Sequence, residues 1–206
     1  PLIVDDGAGG YVSLSGGHFH GQYMAQAMDV LAIAMTDLGA ISERRLARLI
    51  DPGMSYGLPR NLLAGKQGLN TGYATVQCSM SALVMENRGL ATPGSVDSIP
   101  GKSNAEDHVS NSTWCGRKAR TIVENVEQIV AGELLMAAQA LSLVAEVADG
   151  YPLGKGSQAA LDAIRETVPP ALEGDRWYAR EMGDARALVR SGAVVHAVET
   201  AIGLLE

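Results

Sequence analysis

The sequence predicts an all-α fold, a bundle of long helices with one short β-hairpin at its N-terminal end. Three observations carry this. Hydrophobic residues make up 47% of the chain, yet only one Phe and two Trp are present. The apolar content is therefore aliphatic and Ala, a mixture suited to closely packed helices. Apolar residues also recur at spacings of three and four through several long stretches. Polar, Gly-rich loops separate those stretches, and the β-prone runs singled out fall within the first fourteen residues.

In chain order, Leu2–Val4 and Tyr11–Leu14 flank an Asp/Gly-rich turn, a hairpin signal. An isolated hairpin is marginal in water, so this one is expected to rest on another element. From Gln22, the residues Met24, Met28, Leu31, Met35 and Leu38 mark one helical face. Ala25, Ala27, Ala32, Ile33 and Ala34 fill most of the others, and a helix apolar nearly all round is expected inside a bundle or at a subunit contact. Its "SERRLAR" end is polar and is expected to emerge toward water or pair with acids, and Asp51-Pro52-Gly53 stops it after Ile50. A loop spans 51–69, and a second helix covers about Thr71–Leu90. The third and longest runs from about Thr113 to Ala148 on the stripe Ile122, Val126, Ile129, Leu134, Ala137, Leu141 and Ala145. "DGYPLGKGS" breaks it. Two further helices, roughly Gln158–Thr167 and Arg176–Gly203, lie either side of Pro169-Pro170.

A length of 206 residues allows one large domain or two small ones, and without a linker or repeat the chain reads as one, 1–206. A net charge of −7 does not suggest a nucleic-acid-binding surface. Cys78 and Cys115 fit a reducing compartment better than a disulfide framework. No uncharged apolar run reaches the eighteen or so residues of a membrane span, so no membrane partner is expected. The chain opens at Pro1 without Met or a signal-like segment, which reads as a cytoplasmic protein with a cut or processed start.

Chemistry is sought in three loops. "SGGHFHGQ", residues 15–22, has glycines that let backbone approach a ligand or helix closely. His18 and His20 alternate there, so without a turn they cannot face one metal; the plain alternative is a Gly-rich connection with surface histidines. "GLPRNLLAGKQGLNTG" holds no acid–base pair and reads as structure. "SVDSIPGKSNAEDHVS", residues 95–110, places Glu106, Asp107 and His108 just before the longest helix. Ser110, Asn111 or Ser112 is expected to cap that helix, and its dipole accounts for Asp107. Glu106 is a candidate general base or hydrogen-bond acceptor, against a purely structural role. Four histidines and two cysteines, without CxxC or HExxH, predict no metal site. P-loop, GxGxxG and G-x-S-x-G signatures are also absent.

Taken in series, several segments resemble the aromatic amino acid ammonia-lyase and aminomutase family. They are "LSGGHFHGQYMAQAMDVLAIAMTDLGAISERRLARLIDP", "GLPRNLL", "GLNTGYATVQCSMSALVMEN", the 95–110 loop, "RKA" and "ENVEQIVAGELLMAAQAL". The likeness covers about residues 14–145 and corresponds to the C-terminal half of enzymes of histidine ammonia-lyase length. It implies a place in a tetrameric helical core whose active sites are each assembled from several subunits. It implies elimination of ammonia from histidine, tyrosine or phenylalanine, or else 2,3-migration of the amine; a non-catalytic all-α scaffold is the rival. The family's electrophile, methylidene-imidazolone, forms from Ala-Ser-Gly, whereas the nearest fragments here are Leu14-Ser15-Gly16 and Arg190-Ser191-Gly192. The prosthetic group, the catalytic tyrosine and the carboxylate-binding arginine are therefore expected on a complementary N-terminal chain or segment, without which this chain is silent. By the same resemblance Glu106 is the catalytic residue, as in histidine lyases, where phenylalanine and tyrosine lyases usually have glutamine. Phe19, His18 and Asn104 are the substrate-binding residues. His18 replaces a usual asparagine and Ala105 a usual glutamine, which leaves the substrate open.

Overall fold

The computed structural model describes residues 2–145 and 151–205. Its elements are strands β1 (Leu2–Asp5) and β2 (Tyr11–Leu14) and helices α1 (Gln22–Leu49), α2 (Ala74–Leu90), α3 (Ser112–Val144), α4 (Lys155–Arg165), α5 (Tyr178–Ser191) and α6 (Ala193–Ile202). The all-α prediction with one N-terminal hairpin holds. The predicted extension of α3 to Ala148 falls partly on residues 146–148, outside the described residues.

The hairpin pairs Leu2 with Leu14 and Val4 with Val12. Asp6 closes its turn by accepting the amides of Ala8 and Gly10 at 2.8 and 2.9 Å, and these bonds hold its carboxyl below the ordinary value. Contrary to expectation, the hairpin does not rest its strands on the bundle: all eight strand residues are exposed.

α1 lies along α3, and its buried face is small and polar: Ala25, Asp29, Ala32, Gly39, Ser42 and Glu43, with Leu46 at the end. A methyl group on Gly39 would stand 3.0 Å from Val126 Cγ2, so the glycine lets the two helices approach closely. The stripe read as the core face is mostly outside. Met24, Leu31 and Leu38 are exposed, while Met28 and Met35 pack on Ala32, Ala119, Ile122 and Val126. In a helix apolar on every side, periodicity does not choose the face; the small side chains do, by permitting close contact.

The "SERRLAR" end does both: Arg44, Arg45 and Arg48 reach solvent, while Ser42 and Glu43 are buried and the segment pairs with acids. Ser42 Oγ donates to Glu133 at 2.6 Å, and Arg45 grips the same carboxylate through two nitrogens. Buried Glu43 accepts from Arg44 at 2.6 Å and from Gln77 and Ser81 at 2.8 Å each. Burial works against its charge, but these donors prevail and hold the carboxyl below its ordinary value.

The main core joins Val76, Met80 and Val84 of α2 to Ile129, Leu135 and Met136 of α3, closed by Leu46, Tyr73, Ile164, Val168 and Met182. Along α3 the predicted stripe is buried as far as Ile129, after which Leu135, Met136 and Gln139 take over. Two helix starts move. α2 begins at Ala74, because Asp175 holds the Thr71 and Gly72 amides at 2.6 and 2.8 Å. α4 begins at Lys155 and ends at Arg165. The predicted last helix is two, divided at Gly192, whose φ of 72° ends α5 in the left-handed conformation.

α1 and α3 also have the length and mean hydropathy, 1.3 and 1.2, of membrane-crossing helices, although half of the α3 window is buried inside the protein. A long core helix passes the same test. Within the bundle the two are held together by a buried ion pair.

Candidate active-site loops

Both polar loops singled out by the sequence sit at one end of the α1–α3 pair. The first, 15–21, leads into α1. It turns at His18 and Phe19, with the His20 amide donating to Gly17 O at 2.9 Å. The second, 95–110, leads into α3. Its middle is closed by a bridge in which the Gly101 amide donates to Glu106 O at 2.8 Å and the Glu106 amide returns to Gly101 O at 3.3 Å. Ser98 Oγ accepts the Val109 amide at 2.7 Å and donates to Val109 O at 2.9 Å. At the tip, Ser103 and Asn104 adopt positive φ, 55° and 68°. The side chains of 103–108 around this tip are all exposed.

His20 and His108 latch the loops to each other. The His20 ring accepts the Gln22 amide at Nδ1, 3.2 Å, which leaves Nε2 as the donor to His108 O at 2.7 Å. The two imidazoles meet edge to face, with centroids 5.2 Å apart. The contact brings Phe19 and Glu106 within two residues of one junction, each on its own loop. Gly21 is packed just behind: a methyl group there would stand 2.6 Å from Ser110 Oγ.

Phe19 is 82% exposed. With His18, Gly16 and Leu2 it lines an open hollow of about 250 Å³. The Tyr23 hydroxyl donates to His18 O and so fixes the turn. Glu106 and Asn104 stand exposed on the second loop. The start of α3 agrees with the predicted Thr113 to one residue, but the helix-dipole account of Asp107 does not hold. α3 begins at Ser112 after Asn111, no acid occupies its first turn, and Asn111 uses its amide on Asp97 O at 2.7 Å. Asp107 therefore belongs to the loop. Among the described residues no group of three or more His, Cys, Asp or Glu stands close enough to hold a metal.

The residues that seat the second loop escaped the sequence reading. Asp29, buried on α1, accepts the Gly94 and Ser95 amides at 2.8 Å each and the Lys118 ammonium of α3 at 2.8 Å. Lys118 also donates to Thr92 O at 2.5 Å. Burial raises the cost of the Asp29 charge, but Lys118 and Ser95 outweigh it and hold the carboxyl at about 2. Burial, reinforced by Asp29, pushes the neighbouring Cys115 thiol up. A signal was present: Asp29 is the single charge between Gln22 and Thr36, and an acid inside an apolar helix calls for a partner.

The folded pKa of Asp29 lies below its ordinary 3.8, so its contribution is complete above that value and falls away as pH drops toward about 2. It is worth about 2 kcal/mol. Unfolding measured between pH 5 and pH 2 is expected to show a flatter acid limb for Asp29→Asn than for the parent chain. Parallel limbs would remove the ion pair from the account.

A bundle of long helices whose polar end loops are latched together defines the class. The family described as aromatic amino acid lyase matches residues 1–166, and this chain belongs to it. A histidine ammonia-lyase of Alkaliphilus oremlandii is 46% identical over 191 residues, 93% of this chain and 36% of that protein. The crystal structure of histidine ammonia-lyase from Trypanosoma cruzi superposes with a TM-score of 0.88 at 40% identity, over 100% of this chain and 38% of that one. A tyrosine aminomutase from Streptomyces globisporus gives 0.85 at 36% identity, over 92% and 35%. The chain thus spans a little over a third of the length of the relatives it matches.

Proposed function

We propose that this chain forms the C-terminal part of a histidine-type ammonia-lyase, and that Glu106 faces the amino acid whose ammonia is eliminated. The carrying observation is the Glu106 loop, closed on itself and latched to the Phe19 loop, in a chain similar to histidine ammonia-lyases. Elimination breaks the Cα–N bond and removes a proton from Cβ. A carboxylate beside the substrate accepts a proton or a hydrogen bond, and an imidazole side chain offers an N–H to such a group. Phe19 supplies an apolar wall for an aromatic ring, His18 lines the same hollow, and Asn104 on the second loop is offered as a further polar contact to the substrate.

The resemblance places the electrophile of this chemistry on an Ala-Ser-Gly tripeptide, and we assign it outside this chain. Ser15 lies in exposed coil, and Ser191 closes a helix with its hydroxyl on Leu188 O at 3.2 Å. Neither belongs to an Ala-Ser-Gly tripeptide, so the methylidene-imidazolone is assigned to a complementary N-terminal segment. Val30, Ile33 and Ile41, exposed along α1, suit contact with that segment or with further copies in an oligomer, in keeping with the family resemblance. Amine migration is the second reading, favoured by the likeness to the tyrosine aminomutase.

The test is complementation. The purified chain alone is expected to release no ammonia from histidine, tyrosine or phenylalanine. Co-expressed with an N-terminal segment carrying Ala-Ser-Gly, it is expected to form a complex that releases ammonia from histidine. A β-amino acid product would select the aminomutase. Steady turnover by the lone chain, or a folded complex inert on all three, would overturn the proposal.

A further inference from the structure

We infer that Asp29 and Gln22 of α1 clamp the peptide of Ser95 and thereby set where the Glu106 loop stands relative to Phe19. The inference rests on the reading of Glu106 given above, and it makes both residues positioning residues. Seven residues separate them, two helical turns, so they share one face. Asp29 takes the Ser95 N–H at 2.8 Å and Gln22 Nε2 donates to the Ser95 C=O at 2.8 Å. Both polar groups of that residue's backbone are thus read by side chains of one helix.

Each clamp residue is held in turn. Lys118 fixes the second oxygen of Asp29 at 2.8 Å and is itself tied to Thr92 O, just before the loop. Gln22 Oε1 accepts the Asn111 amide at 3.4 Å, so one side chain joins the two ends of the loop. Gly94 allows the approach, since a methyl group there would stand 2.7 Å from Trp114 Cδ1. Between the clamped ends, the Gly101–Glu106 bridge and the Ser98–Val109 pair brace the chain. A shift at Ser95 is therefore carried to Glu106 rather than absorbed on the way. Phe19 lies three positions before the start of the same α1, so one helix carries one wall of the site and clamps the other. The depressed Asp29 carboxyl keeps the clamp charged at any working pH.

Two variants test this, Asp29→Asn and Gln22→Met, the second at a half-buried position where folding is expected to survive. Amide exchange in this chain is expected to rise about tenfold or more across residues 94–110, with the α2 and α3 core amides unchanged in Gln22→Met. In the complemented enzyme, kcat is expected to fall roughly 10–100-fold with a smaller change in KM, because misplacement by about an ångström carries costs of that order. Glu43→Gln, a buried acid of α1 that does not touch the loop, controls for lost stability and is expected to move melting but neither readout. Unchanged loop exchange in both clamp variants would overturn the inference, as would a kcat loss no larger than that of Glu43→Gln. Glu106→Gln in the same assay separates the two readings. Full turnover there defeats the role of Glu106, while loop exchange still decides whether the clamp exists.

Discussion

Glu106→Gln in the complemented enzyme is expected to lower turnover by about 10²–10⁴-fold, the range for loss of a general acid–base group. The substitution keeps shape and volume and removes only the charge and the basic oxygen. The backbone bridge from residue 106 to Gly101 uses main-chain atoms alone and survives the change. The side chain is exposed, so stability is expected to stay within about 1 kcal/mol of the parent, the range for losing an exposed side-chain interaction. A fall in kcat with KM held assigns the base, whereas a rise in KM alone assigns a binding contact. Asp107→Asn is the matched neighbour: exposed, outside the first turn of α3, and expected to leave turnover and melting unchanged. Full activity of Glu106→Gln on every substrate would make the glutamate structural and favour the scaffold.

Gln139→Leu is expected to give the largest stability loss, roughly 2–6 kcal/mol in urea unfolding. The side chain is fully buried in α3. Its amide donates to Ala171 O at 2.9 Å and at 3.4 Å to Leu62 O, and its oxygen accepts the Ala171 amide at 2.9 Å. Leucine fills the space but leaves the Ala171 N–H and C=O unpaired in the core, at about 1–3 kcal/mol for each buried group. Gln158→Leu, whose partner is exposed Asp162 at 2.7 Å, is expected to cost under about 0.5 kcal/mol. A Gln139→Leu loss below about 1 kcal/mol would show that the 168–171 segment is held by its apolar contacts alone.

The sequence by itself determined what is local. Helical spacing placed the long helices, a β-prone pair around an Asp/Gly turn placed the hairpin, and a polar stretch between apolar runs picked out the loop of Glu106. The motif series named the family, because it is a property of order along the chain. Tertiary structure decided the rest. Periodicity could not say that Ala25, Ala32 and Gly39, rather than Met24, Leu31 and Leu38, form the buried face of α1. That choice depends on how closely α3 can approach. Gly192 could have announced the break between α5 and α6, but a glycine inside an apolar pattern signals a stop only when its φ is positive. Asp107 looked like a helix-start acid because the 95–110 loop gave no sign of closing on itself at Gly101 and Glu106. Asp29 and Lys118 meet across 89 residues. A buried charge calls for a counter-charge, yet only the path of the chain in space decides which one reaches it.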